Sequence, residues 1–343
     1  MYKFSIIVPI WRTDFNQLEE CFNSIIRQDS SLLKEIILVN DGNDEEYKKK
    51  LTDFIKTHTH RERELVKLVN IDKNSGLANA RKIGYQNSTG DIIIFVDSDD
   101  VLLNYDFLKK INNHFENNNK IFFVKYNYIQ FKKISNLKNK LFNTNTNNEI
   151  ITYNNNYIFK DYDREQLNVW KFAFKKDIFL ICPQLLNNTI NTWFEDVYFS
   201  AVFSSQNFVG LATSEIFYGY RVRNKNSIIH NFMKKQRKKP FTEILKVHEW
   251  FVSFKDANLN SNNEIKEIWI SSCVSAVVLN GYQKLSKLIK DFPSKQDIYR
   301  FFNKYNYWKY KTLWHQAIML MLKYRFFDFF IPVVVRFLYI FKR

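Results

Sequence analysis

The chain has 343 residues, 45% of them hydrophobic, with 51 Lys and Arg against 35 Asp and Glu and a formal net charge of +16. That length and apolar content support one large domain, or one domain with a smaller companion, and exclude a disordered or collagen-like chain, the more so with only 7 Gly and 5 Pro. The basic excess points to nucleic acid, anionic lipid or a phosphorylated ligand as partner, or else to a plain lysine-rich surface.

The first hundred residues alternate strand-like and helix-like stretches. KFSIIVPI (3–10) is a β-rich run that ends at Trp11-Arg12. No small-residue cleavage site follows, so it reads as a first strand rather than a signal peptide, and a cytoplasmic location is expected. DFNQLEECFNSIIRQ (14–28) sets Phe15, Leu18, Phe22, Ile25 and Ile26 on one helical face, with Asp14 and Gln17 at capping-box spacing. EIILVN (35–40) predicts a second strand, EEYKKKLTDFIKTH (45–58) a charged helix and ELVKLVN (64–70) a third strand. GLANARKIGYQNS (76–88) predicts a helix and DIIIFVD (91–97) a fourth strand. This order predicts a largely parallel sheet with helices on both faces, and ligands of such sheets bind beyond the C-terminal strand ends. Those ends carry Trp11-Arg12, Asn40-Asp41-Gly42, Asp72-Lys73-Asn74 and Asp97-Ser98-Asp99-Asp100, which converge if the four strands are neighbours.

Beyond residue 104 the pattern changes. NNHFENNN and NTNTNNEIITYNNN read as Asn-rich loops, while IFFVKYNYIQF (121–131) and NVWKFAF (168–174) alternate with period two. TWFEDVYFSAVF (192–203) reads as a helix with Glu195 and Asp196 in its first turn, where acids also suit the helix dipole. NFVGLAT and EIFYGYRVR read as two strands, and from about residue 231 the chain turns helical and basic. FFDFFIPVVVRFLYIFKR comes nearest to a membrane span, but Asp328 and Arg336 interrupt it. It suits an anionic bilayer surface or a buried helical hairpin equally. Cys21, Cys182 and Cys273 lie far apart, so neither a disulfide framework nor a zinc site is expected.

The chemistry concentrates in GDIIIFVDSDDVLL (90–103), an apolar run that ends in Asp97, Asp99 and Asp100. Side chains two apart on an extended chain point the same way, about 6–7 Å apart. As the strand turns, Asp97 and Asp99 can close on one ion. Hard carboxylate oxygens select Mg²⁺ or Mn²⁺ and leave positions for water and phosphate oxygens. The same tetrapeptide also suits a turn or helix cap.

SIIVPIWR, ILVNDGND, NIDKNSGLANARKIGYQNSTGDIIIFVDSDD and WFEDVYFS occur in that order. The succession resembles the family 2 glycosyltransferases, over roughly residues 3 to 225 and most strongly from 3 to 103. The resemblance implies a GT-A fold, a Rossmann-like α/β architecture with a mostly parallel sheet flanked by helices. It implies a catalytic domain over 1–230, with a nucleotide-sugar half (1–103) and an acceptor half (104–230). The helical, basic and aromatic region 231–343 is then expected to meet a membrane surface. The implied activity is inverting transfer of a sugar from a nucleotide diphosphate donor, a UDP-sugar, to a saccharide or lipid-linked acceptor. Surface polysaccharide or lipooligosaccharide synthesis at the inner face of the cell membrane is the expected setting, with no nucleic-acid partner.

Carried over residue by residue, Pro9 and Trp11 border the nucleotide, and Asp41 accepts a hydrogen bond from the uracil ring. The family's usual Asp-Asp-Gly-Ser stands here as Asn40-Asp41-Gly42-Asn43. Gly76 lets the backbone approach the nucleotide at a helix start. Arg81 contacts the diphosphate or pairs with an Asp of the metal motif, unless it is an exposed helix arginine. Asp97, Ser98 and Asp99 form the donor-binding DxD stretch. Asp99 ligates Mn²⁺ or Mg²⁺ directly, Asp97 does so directly or acts through water or the ribose, and Asp100 is structural. Asp196 is the catalytic base that takes the acceptor hydroxyl's proton. The resemblance also puts Arg221 or Arg223 on the diphosphate, His230 as a late metal ligand and Trp193 under an acceptor sugar. Two other readings compete. A sugar nucleotidyltransferase has a related sheet, but PIWRTDF stands where its Gly-rich loop belongs. A non-catalytic basic binding module would suit the tail alone, yet no nucleic-acid motif is present.

Overall fold

The computed structural model describes residues 1–137, 147–153, 168–186 and 195–222. The chain divides into two compact units, Met1–His230 and Asn231–Arg343. The described residues lie in the first. Trp193, Arg223, His230 and the basic C-terminal region lie outside them.

The described strands are β1 (Phe4–Ile10), β2 (Leu33–Asp41), β3 (Val66–Ile71), β4 (Ile92–Phe95), β5 (Val101–Leu102), β6 (Phe123–Phe131), β7 (Asn148–Tyr153), β8 (Phe172–Lys175) and β9 (Phe208–Arg221). They form one sheet in the order β3-β2-β1-β4-β8-β6-β9-β5, with β7 also paired to β9. The helices are α1 (Phe15–Ile26), α2 (Glu45–Lys56), α3 (His60–Glu64), α4 (Leu77–Gln86), α5 (Phe107–Asn117), α6 (Asp177–Ile181) and α7 (Glu195–Ser205).

β3, β2, β1 and β4 are neighbours and run parallel, so the four polar strand ends do meet at one edge. β8 then runs antiparallel to both β4 and β6, while β6 and β9 are parallel. Alternation divides the strands between two faces. Ile6, Val8, Ile36, Leu38, Ile92 and Ile94 pack with Leu18, Phe22 and Ile25 of α1 and Ile111 and Phe115 of α5. Ile7 and Val39 point the other way, against α4, where a Cβ on Gly84 would meet Ile7 Cγ2 at 2.3 Å. Glycine at that position lets α4 lie close on β1 and β2.

Two sequence readings change. NEIITY, inside the stretch expected to be loop, is β7, because its alternating apolar residues complete the edge beside Phe208–Thr213 of β9. The two stretches taken as separate strands are one, β9. Their polar interruption, Thr213-Ser214-Glu215, is a bulge where β9 carries extra residues opposite Lys125–Asn127.

Candidate active site

The loop between β3 and α4 arrives at the end of β2. Gly42 has φ +69, and a Cβ there would sit 2.1 Å from the Asn74 nitrogen, so only glycine admits this crossing. Asp41 is buried and its carboxylate gathers the loop. Oδ1 accepts from the Ser75 backbone N–H and hydroxyl, each at 2.8 Å. Oδ2 accepts from Asn74 Nδ2 at 2.9 Å and the Gly76 N–H at 3.0 Å. A carboxylate has about four acceptor positions, and all four are filled. Asp41 therefore stands as the clamp of the β3–α4 loop.

Asn40 is likewise engaged. Its Nδ2 donates to Asn70 Oδ1 at 2.8 Å, and its Oδ1 accepts from Asn43 Nδ2 at 2.7 Å. Asn43 Oδ1 in turn accepts the Arg12 N–H at 2.8 Å. That bond helps hold Arg12 at a left-handed φ of 51, with its guanidinium 4.6 Å over the Trp11 ring. Trp11 is half-buried at this edge, Pro9 is buried in β1 opposite Val39, and Gly76, at φ 89, caps α4.

The acids of β4 and α7 meet around one arginine. Arg81 on α4 is only 4% exposed, not the solvent-facing arginine of the alternative reading. Its Nη1 lies 2.9 Å from Asp196 Oδ1 and 3.7 Å from Glu195 Oε1, and its Nη2 lies 3.2 Å from Asp97 Oδ1. Burial alone would lower the guanidinium's pKa, but the three carboxylates outweigh it and raise it. One cation does not neutralise three acids. Burial, then repulsion from Asp196, pushes Glu195 up to about 8. Burial raises Asp196 as well, opposed by Arg81 and by a hydrogen bond from the Val169 backbone.

The turn 97–100 is held from behind. The Asp97 N–H donates to Tyr218 Oη at 3.1 Å, and Ser98 Oγ and Thr13 Oγ1 are 2.6 Å apart. Asp100 is buried and accepts from Tyr218 Oη at 2.8 Å and the Arg221 N–H at 2.6 Å. Burial, then Asp99 and Asp97, holds its carboxyl well above the usual range. The resemblance put Arg221 or Arg223 on the diphosphate, and of the two Arg221 is among the described residues. It is instead buried behind the turn, with Nε donating to the Asp99 carbonyl at 2.6 Å.

Asp97 and Asp99 are partly exposed, unlike Asp100. Among the described residues no three His, Cys, Asp or Glu side chains form a metal cage. Two carboxylates suit Mg²⁺ or Mn²⁺, which keep several positions for water and phosphate oxygens. The unneutralised acids that raise Glu195 and Asp100 make this edge receptive to positive charge.

Spacing pointed to Asp97 and Asp99, and the family resemblance to Asp196 and Arg81, but neither indicated that Arg81 joins Asp97 to Asp196. Nor did they single out Thr13, whose hydroxyl meets Ser98 from the loop between β1 and α1.

Residues 5–177 match the model of the family described as glycosyl transferase family 2. The chain is 36% identical over 106 residues to N-acetylgalactosaminyltransferase 6 of Drosophila melanogaster. It is 31% identical over 116 residues to the teichoic acid poly(glycerol phosphate) polymerase of Staphylococcus epidermidis. These matches cover 30% and 33% of this chain, and the chain spans only 15% of each relative. In structure it is similar to the crystal structure of S. aureus TarS 1–349, with a TM-score of 0.60 and 15% identity, over 99% of this chain and 92% of that one. TarS 1–349 solved in complex with UDP gives a TM-score of 0.50 at 15% identity, over 89% and 88% of the two chains. The architecture is thus the GT-A type of these structures.

Proposed function

Because the chain belongs to glycosyl transferase family 2, we propose that it moves a sugar from a UDP-sugar to a saccharide or lipid-linked saccharide, with inversion at the anomeric carbon. The observation that carries this reading is the Arg81 bridge. It joins Asp97 of the donor turn to Asp196 on α7 in one buried cluster at the strand ends. Asp196 takes the proton of the acceptor hydroxyl as its oxygen attacks the sugar C1. Arg81 favours the carboxylate form of that base and fixes its orientation. Trp11 and the Gly76 end of α4 border the nucleotide, with the α4 N-terminus toward the phosphates. Arg81 Nε, buried without an acceptor among the described residues, supports an anionic ligand oxygen nearby.

Asp97 and Asp99 would hold a Mn²⁺ or Mg²⁺, which supplies positive charge against the leaving diphosphate. Trp11 borders the base, and Asp41 accepts the uracil ring N–H in exchange for one of its internal donors, such as the Ser75 hydroxyl. The UDP bound by TarS and the teichoic acid relative support uridine and a surface-polymer acceptor. No helix among the described residues is long and apolar enough to cross a membrane. The basic C-terminal region is proposed to bring the enzyme to an anionic membrane face.

Incubation of the full chain with a panel of UDP-sugars, Mn²⁺ and saccharide acceptors tests this. UDP release from one donor, stopped by EDTA and restored by excess Mn²⁺, is expected. Release of pyrophosphate from a nucleoside triphosphate and sugar phosphate instead would overturn it.

A further inference from the structure

Glu20 belongs to no motif. It sits on α1 with its side chain 34% exposed, and it pairs with Nη2 of Arg221, whose side chain is 5% exposed. The buried guanidinium lies 4.5 Å over the Phe131 ring. Arg221 then grips the donor turn twice, through Nε to the Asp99 carbonyl and through its backbone N–H to Asp100, each at 2.6 Å. We propose that Glu20 and Arg221 are positioning residues that set the Asp99 carboxylate for cation and diphosphate, with Glu20 holding the guanidinium on the Asp99 carbonyl. This rests on the donor-site reading above.

A guanidinium has five N–H donors in a fixed fork and matches a carboxylate with two of them. Arg221 uses one on the Asp99 carbonyl and one on Glu20. Without Glu20, the guanidinium loses the contact that fixes it, and its grip on the Asp99 carbonyl loosens with it. Partners behind a metal ligand set its orientation, and losing one weakens metal binding although the partner never touches the ion.

The test is calorimetric titration of the full chain with UDP at increasing Mn²⁺, alongside thermal unfolding. Glu20→Ala is expected to raise the Mn²⁺ concentration for half-saturation about tenfold. Glu20→Gln keeps an oxygen for Arg221 but no charge, and is expected to stay within about threefold of the unmodified chain. Equal shifts in both variants would reduce the effect to through-space charge and overturn the positioning role. So would a Glu20→Ala chain that melts earlier but binds Mn²⁺ as before. If the unmodified chain shows no metal-dependent UDP binding, the donor-site reading fails and this inference falls with it. Binding there with no shift in Glu20→Ala overturns the positioning role alone.

Discussion

Asp196→Asn is expected to lower kcat about 10²–10⁴-fold while leaving the KM for the donor within about twofold, because general-base catalysis contributes on that scale. The substitution is nearly isosteric. The amide oxygen still accepts from Arg81 Nη1, which lies 2.9 Å from Oδ1. What is lost is the ability to take a proton. The fold is not expected to suffer, since three acids surround a single buried arginine and one fewer charge relieves Glu195 and Asp97. Steady-state kinetics beside a donor-binding titration separates the two effects. A kcat within threefold of the unmodified chain would remove Asp196 from the chemistry and leave it as decoration of the α7 N-terminus. A donor affinity that falls together with kcat would make it a binding residue instead.

Arg81→Met is expected to cost about 3–5 kcal/mol of stability, the usual consequence of removing one partner from a buried ion-pair cluster. Asp97, Glu195 and Asp196 would then share the site without a cation. Denaturant unfolding measures the loss. Arg81→Lys keeps the charge but not the fork that reaches both Asp97 and Asp196, and it is the more informative variant for activity. Asp196 is already raised by burial, with Arg81 as the largest opposing influence. Weakening that influence raises its folded-state pKa further. The base is active only when deprotonated, so the acidic limb of the kcat profile moves to higher pH in Arg81→Lys. An unchanged limb would mean that Arg81 does not govern the ionisation of the base.

The parallel half of the fold was legible because each strand and helix of the first hundred residues carries its own period, and their alternation restricts the topology. The boundaries of β1, β2 and α1 fall within two residues of the stretches that predicted them. The second half was less legible. β7 is short and embedded in asparagines, and its strand character comes from pairing with β9 rather than from its own composition. β9 looked like two strands because a bulge interrupts its alternation with Thr213-Ser214-Glu215.

The same division runs through the site. The turn 97–100 announced itself by charge at the end of an apolar run. Its supports were less legible, because Tyr218 and Arg221 lie more than a hundred residues away and the resemblance that marked Arg221 gave it, or Arg223, to the diphosphate and not to the back of the turn. Asp41 shows the opposite case. Its type and place suit a nucleobase and were legible, while the internal donors that the β3–α4 loop brings to its carboxylate by folding back over Gly42 were not. Spacing along the chain gives the side chains near a site but not how many of their hydrogen-bonding positions remain open.

The edge formed by Asp97 and Asp99 is proposed to bind a nucleotide diphosphate together with a divalent cation. The decisive measurement is calorimetric titration of the full chain with UDP, with and without Mn²⁺ and beside Asp99→Ala. UDP binding that requires Mn²⁺ and is lost in Asp99→Ala is expected. Binding that is indifferent to Mn²⁺, or equal in the two chains, would rule that site out.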